Sequence, residues 1–147
     1  MKKSILAACA AMMLTACQTI EQSTSGYSPE NKPTIVTRKT IDQAKSGAKA
    51  VFNRPSLGFQ TVSETGTHLL FSKAMPANIN DNNSLKDRTK GRPLVQIELT
   101  FQQESDKTRV VGQNWMLLNP NGANKDKFDL LQTPDGPRLQ ARMNEFK

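Results

Sequence analysis

The clearest pattern in the chain is a strict alternation of apolar and polar residues in "VQIELTFQQ". Val95, Ile97, Leu99 and Phe101 are apolar, and the residues between them are polar. A period of two residues is typical of a strand with one buried and one wet face, which favours an antiparallel sheet. The pattern therefore predicts a strand that contributes one face to the core.

Two hairpins are predicted around this strand. The segment "LGFQTVSETGTHLLFSKAM" has two alternating arms that flank the turn Glu64-Thr65-Gly66. Ser105-Asp106-Lys107 supplies a second turn, after which "TRVVGQNWMLLNP" returns as a strand. Runs of this kind bounded by turn residues predict four strands in all.

Helical spacing occurs in "TIDQAKSGAKAVFNRP" at 40–55. Thr40 is a suitable N-cap and Pro55 stops the segment. The apolar positions recur three or four residues apart and predict an amphipathic helix: Ile41, Ala44, Ala48 and Val51.

The end of the chain is ambiguous at this level. "KFDLL" fits a short strand or a helical turn, so residues 126–147 remain open between strand and helix. Leu139, Met143 and Phe146 favour a terminal helix after Pro137.

Together these patterns predict one α+β domain at 34–147. Its expected architecture is an N-terminal amphipathic helix packed on an antiparallel, meander-like sheet of about four strands, with a short C-terminal helix. Apolar residues make up only 36% of the chain, so the core is expected to be modest. A long polar loop at 76–93 precedes the alternating strand, and its order is left open.

The beginning of the chain has a different character. Lys2 and Lys3 precede an uncharged, apolar or small-residue stretch at 4–16. It is shorter than the roughly 20 residues that span a bilayer, and a positive start followed by such a run is typical of a secretory signal peptide. The four residues that end it, Leu14-Thr15-Ala16-Cys17, resemble the lipobox of bacterial lipoproteins.

This resemblance implies that residues 1–16 are a lipoprotein signal peptide. In that family the cysteine receives a diacylglycerol thioether, the bond before it is cut, and the new amino group is acylated with palmitate or a similar chain. Leu6-Ala7-Ala8-Cys9 also matches, but it would leave too short an apolar run, so Cys17 is the predicted lipidation site. An ordinary cleaved signal peptide and an uncleaved buried helix are the alternatives.

The resemblance also implies a location. Gln18 stands where aspartate tends to retain lipoproteins in the inner membrane, so we expect anchoring at the cell outer membrane, facing either the periplasm or the exterior. Residues 17–33 are then the lipidated cysteine and a polar, flexible tether that spans roughly 20–25 Å.

Charge suggests one surface contact. The formal net charge is +7, and export argues against nucleic acid as a partner. Lys86, Arg88, Lys90 and Arg92 would project to one side of an extended segment, which predicts a contact with anionic lipid or polymer. The alternative is a solubilising rim of a loop.

No catalytic, cofactor or metal site is predicted. The single histidine, His68, lies in a strand, and the acids Glu64, Glu98, Glu104 and Asp106 show no pairing that hydrolysis requires. "NINDNNSLKD" lacks the glycine and the final glutamate of a calcium loop. Trp115 is expected to pack in the core, or else to be an exposed binding anchor.

The expected function is therefore non-enzymatic. The chain is predicted to be a membrane-anchored envelope lipoprotein that contacts the bilayer through acylated Cys17. Its domain would serve as an accessory or interaction module of an outer-membrane or secretion assembly, with an envelope protein as partner. The alternative is a small-ligand- or glycan-binding, or enzyme-inhibiting, lipoprotein of the periplasm or surface.

Overall fold

The computed structural model describes residues 31–76, 91–123 and 125–147. Within these ranges the chain forms six strands and two helices. In chain order they are β1 Thr34–Thr37, α1 Ile41–Phe52, β2 Gln60–Glu64, β3 His68–Ala74, β4 Leu94–Glu104, β5 Lys107–Leu117, β6 Lys127–Asp129 and α2 Asp135–Asn144.

All six strands belong to one antiparallel sheet with the order β1-β5-β4-β3-β2. β4 and β5 pair along their whole length, from Glu104 opposite Lys107 to Leu94 opposite Leu117. The other edge of β5 is shared, because β1 pairs with its first half and β6 with its second half. β5 is therefore the strand that connects the largest number of elements.

The predicted fold class is wrong in its sheet. The sheet has six strands rather than about four, β1 precedes the helix, and the pairing of β1 with β5 departs from a meander. β1 and β6 are only four and three residues long, too short to show a repeated alternation. Their pairing with β5 is set by the tertiary fold rather than by local sequence.

Both helices cover the same face of the sheet. The alternation predicted for β4 is confirmed, because its four apolar side chains are all buried. They pack with Leu69 and Phe71 of β3 and with Val51 and Phe52 of α1. This face holds the core, and we refer to the opposite face as the outer face.

α1 begins at a complete capping box. The Thr40 hydroxyl accepts from Gln43 N at 3.3 Å, and Gln43 Oε1 accepts from Thr40 N at 3.0 Å. The two bonds satisfy backbone groups that the first turn leaves free. Near its middle, Gly47 lies so close to Phe146 that an added Cβ would be 3.0 Å from the Phe146 Cβ.

α2 starts two residues before Pro137, which therefore lies in the first turn, where proline is tolerated. Its buried residues Leu139 and Met143 pack against Gly112 of β5. A Cβ on Gly112 would be 2.6 Å from Met143 Sδ. The absence of a side chain at this strand position therefore lets α2 lie close to the sheet.

Candidate functional site

A cleft opens between α2, the segment after α1 and the core face of the sheet. It encloses about 660 Å³. We call it the α2 cleft. Its apolar lining includes Phe52, Leu57, Phe59, Val95, Ile97 and Leu139, and its polar lining consists of Lys73, Asn114, Asp135, Arg138 and Arg142.

Aromatic contacts hold the apolar wall. The rings of Phe52 and Phe59 meet edge to face with centroids 6.3 Å apart. Phe52 also contacts Phe71 of β3 at 5.0 Å and Phe146 at 6.3 Å. Because the Phe52 ring is held from three sides, this wall is anchored to the core.

Asn114 is the unusual residue of the cleft. It lies on β5 two residues beyond Gly112, so it shares the face that meets α2, and it pairs with Ile97 of β4. The residue is only 4% exposed. Its Oδ1 is buried and accepts no hydrogen bond from the part of the chain that the structure describes. A buried acceptor without a partner costs about 1–3 kcal/mol.

Cations surround the cleft. Lys73 Nζ donates to Leu57 O at 3.1 Å and lies 4.6 Å from the centroid of the Phe59 ring. On α2, Arg138 donates to Asp135 at 2.9 Å, and Arg142 donates to Glu145 at 2.6 Å. The lining itself thus has three cations and one carboxylate, a positive balance next to an apolar interior.

Most of the predicted contact and lipidation residues lie outside the described residues, namely Cys17, Lys86, Arg88 and Lys90. Arg92 is described and exposed. Its guanidinium donates to the carbonyl of Met75, and Met75 N donates to Pro93 O at 2.9 Å. Arg92 therefore joins the ends of β3 and β4, a local structural contact that sequence reasoning missed.

Two of the acids considered for catalysis, Glu64 and Glu104, are engaged in separate ion pairs. Hydrogen bonds from Lys45, at 2.8 Å, and from Lys49, at 3.1 Å, lower the pKa of Glu64. A hydrogen bond from Arg109 at 2.6 Å lowers the pKa of Glu104. Each of these carboxylates is thus held ionised beside its own basic partner.

His68 and Glu98 also lie away from the α2 cleft. His68 is exposed, with Nδ1 2.9 Å from the hydroxyl of Thr67. Glu98 pairs with Leu70 and Gln113 on the outer face. Neither His68 nor any of the acids considered for catalysis lines the cleft.

Trp115 lies on the outer face, because it is displaced from Gly112 by an odd number of residues. It is nevertheless only 8% exposed. Its Nε1 donates to Gln96 Oε1 at 2.8 Å, and Lys127 Nζ lies 4.2 Å from its ring centroid. The burial of Trp115 agrees with the expected core packing and not with an exposed binding anchor. Its ring lies under polar side chains of the outer face, however, and does not join the hydrophobic cluster of the core face.

The sequence contained a signal for Asn114 that the hydrophobic pattern concealed. In "VVGQNWMLL" the apolar run draws attention to Trp115. The two-residue period from Val110 instead places Gly112, Asn114 and Met116 on the core face. A polar residue on that face is the observation that could have identified the cleft.

In the described ranges, no group of three or more His, Cys, Asp or Glu side chains is placed to hold a metal ion. Neither α1 nor α2, the helices of the described chain, is long and apolar enough to cross a membrane.

No protein-family model matches the chain, and no curated protein matches it significantly.

Proposed function

We propose that the protein is a membrane-anchored envelope lipoprotein whose domain acts as a non-enzymatic accessory or interaction module of an outer-membrane or secretion assembly. The observation that carries the proposal is the sequence Leu14-Thr15-Ala16-Cys17 at the end of a short apolar run. Acylation of Cys17 would place the domain at the bilayer, and an envelope protein would be its partner.

The way the chain enters the domain supports this arrangement. Pro33 is fully buried and its carbonyl accepts from Gly112 N at 2.8 Å. Lys32 Nζ donates to Gln113 Oε1 at 3.1 Å. The predicted tether therefore ends at a fixed point beside β5, so an anchored Cys17 would hold the whole sheet near the membrane.

The outer face is the surface proposed for the partner. No helix in the described part of the chain covers it, and its β4 residues alternate with the core residues. At the sheet edge, Val62 of β2 is 55% exposed and lies at a register shift between Thr61 and Ser63. An exposed apolar side chain beside a polar face fits the composition of a transient interface.

Lipidation is tested by metabolic labelling with a fatty acid in the bacterial host. We expect Cys17→Ser to lose the label and to leave the membrane fraction, and Cys9→Ser to be labelled as wild type. Retention of the label in Cys17→Ser would contradict the lipidation site. Loss of label in Cys9→Ser alone would move the site to Cys9.

The partner is tested with a photo-crosslinking amino acid in the acylated protein. We expect substitution at Gln102 of the outer face or at Val62 to give a crosslink to one defined envelope protein. Ser46 is exposed on α1, the helix that covers the opposite face of the sheet. It is therefore the matched control and should give no crosslink. Absence of any protein crosslink, or the same crosslink from Ser46, would contradict an interface on the outer face.

A second proposed function is the binding of a small ligand, and the α2 cleft supports it. Its volume of about 660 Å³ lies in the range of roughly 300–1,000 Å³ that ligand sites occupy. Its lining is mostly apolar with a few polar groups, which is the usual composition of such sites.

A further inference from the structure

We infer that the α2 cleft binds a small single-chain amphiphile that carries a hydroxyl group at its inner end and an anionic group at its outer end. The inference rests on small-ligand binding, the second proposed function, and names the chemistry of the ligand. The observation that carries it is the buried, unpaired amide oxygen of Asn114, a residue that lines a mostly apolar cleft together with the cations Lys73, Arg138 and Arg142.

Asn114 selects the inner group. Its Oδ1 has no donor among the described residues, although the residue is 4% exposed and lies on the face that meets α2. Ile97, which lies opposite Asn114 on β4, has no side-chain donor to offer. A ligand hydroxyl that donates to Oδ1 would satisfy this acceptor, whereas a purely apolar ligand would leave it unpaired.

The walls select the body of the ligand. Phe52, Phe59 and Val95 present rings and methyl groups, and Met75 adds an adaptable thioether. A sugar would bring many hydroxyl groups to this lining, where Asn114 is the buried polar side chain that faces it. The cleft therefore favours a hydrocarbon chain over a glycan, the other ligand class expected from sequence.

The cations of the lining determine which group suits the outer end of the ligand. The side chain of Arg138 is 75% exposed and uses one Nη for Asp135, and a guanidinium has five N–H donors in all. Arg142 lies one helical turn further on the same side of α2, and Lys73 lies across the cleft on β3. An anionic head group would meet these cations while its chain occupies the apolar interior.

The test is isothermal titration calorimetry of the full-length Cys17→Ser chain, which avoids the detergent that an acylated protein requires. Three probes of equal length isolate each group: ω-hydroxydodecanoate, dodecanoate without the hydroxyl, and dodecane-α,ω-diol without the charge. We expect ω-hydroxydodecanoate to bind about tenfold more tightly than either of the others, the effect of one hydrogen bond or one partly screened ion pair.

Variants assign the two effects to residues. Asn114→Leu should bind dodecanoate as the parent does and lose the preference for the hydroxyl. Arg138→Gln should weaken the preference of ω-hydroxydodecanoate over the diol, and the double variant Arg138→Gln with Lys73→Gln should weaken it further. Lys107→Gln, at the distant β4–β5 turn, is the matched control and should change neither preference.

Three results would overturn the inference in distinguishable ways. Equal binding of all three probes would retain small-ligand binding but refute the assigned chemistry. Retention of the hydroxyl preference in Asn114→Leu would place the ligand elsewhere. Binding of none of the probes would refute the small-ligand function itself, while fatty-acid labelling and crosslinking through the outer face would still test the interaction module.

Discussion

Gly112 controls how closely α2 approaches the sheet, and its substitution by alanine tests the packing that forms one wall of the cleft. The added Cβ would lie 2.6 Å from Met143 Sδ and 3.2 Å from Leu139 Cδ2. Carbon and sulfur atoms in contact prefer separations near 3.5–4.0 Å, so Met143 must retreat by about 1 Å. Met143 is completely buried and cannot move into solvent.

The expected loss follows from this overlap. Overpacking a filled core by one methyl group costs typically about 1–3 kcal/mol, and we expect about 2 kcal/mol for Gly112→Ala because two side chains are affected. For a domain of this size that corresponds to a fall in Tm of about 8 °C. Urea unfolding followed by the fluorescence of Trp115 measures the free energy directly, and the urea dependence should be unchanged.

Two controls separate packing from the general effect of replacing glycine. Gly66→Ala places its Cβ in open space and should change stability by less than about 0.5 kcal/mol. In a Met143→Ala background the shorter of the two contacts is removed and the one with Leu139 remains, so Gly112→Ala should there cost at least about 1 kcal/mol less than in wild type. An equal loss in both backgrounds, or no loss in wild type, would refute the close approach of α2.

Two further predictions concern α1. Thr40→Ala should lower the free energy of unfolding by about 1 kcal/mol because the capping box is lost, whereas Thr40→Ser should retain most of that stability. Urea unfolding of both variants measures the difference. An unchanged free energy of unfolding in Thr40→Ala would contradict the role of the cap. Glu64→Gln should destabilise the domain at pH 7, because the pKa of Glu64 is lowered from its ordinary value of 4.5 by Lys45 and Lys49. A carboxylate with a lowered folded-state pKa stabilises above the unfolded value and loses that contribution as pH falls through the folded value. The difference between wild type and Glu64→Gln should therefore vanish in acid, and a difference independent of pH would show that the ion pairs are not its source.

The elements that sequence could predict are those whose signal is local. The alternation in β4 could be recognised from sequence because one face of this long strand is buried, so apolar and polar residues alternate along it. β1 carries no such signal, since its four residues owe their conformation to pairing with β5, where Thr34 lies opposite Val111. The meander expected from consecutive hairpins failed for the same reason, because pairing between distant segments is a property of the whole fold.

The candidate site was hidden for a different reason. Its hydrophobic residues are ordinary core residues when read singly, and only the three-dimensional fold leaves a space between Phe59, Val95 and Leu139. The position of Asn114 on the core face could have been noticed from the two-residue period of β5. That it lacks a partner depends on what α2 and β4 place around it, which no local pattern contains.

Asn114 can also be tested without any ligand, because an unpaired acceptor makes a prediction about stability. We expect Asn114→Leu to raise the free energy of unfolding by about 1 kcal/mol or more, since the buried oxygen disappears and the leucine extends into the α2 cleft. Ser72→Ala is the matched control, because Ser72 Oγ is a second buried atom without a described partner but does not line the cleft. It should stabilise the domain without affecting the binding of ω-hydroxydodecanoate, whereas Asn114→Leu should stabilise it and weaken that binding about tenfold. A loss of stability in Asn114→Leu would show that the amide is satisfied within the fold, and the chemical reason for a hydroxyl at the inner end of the ligand would then disappear.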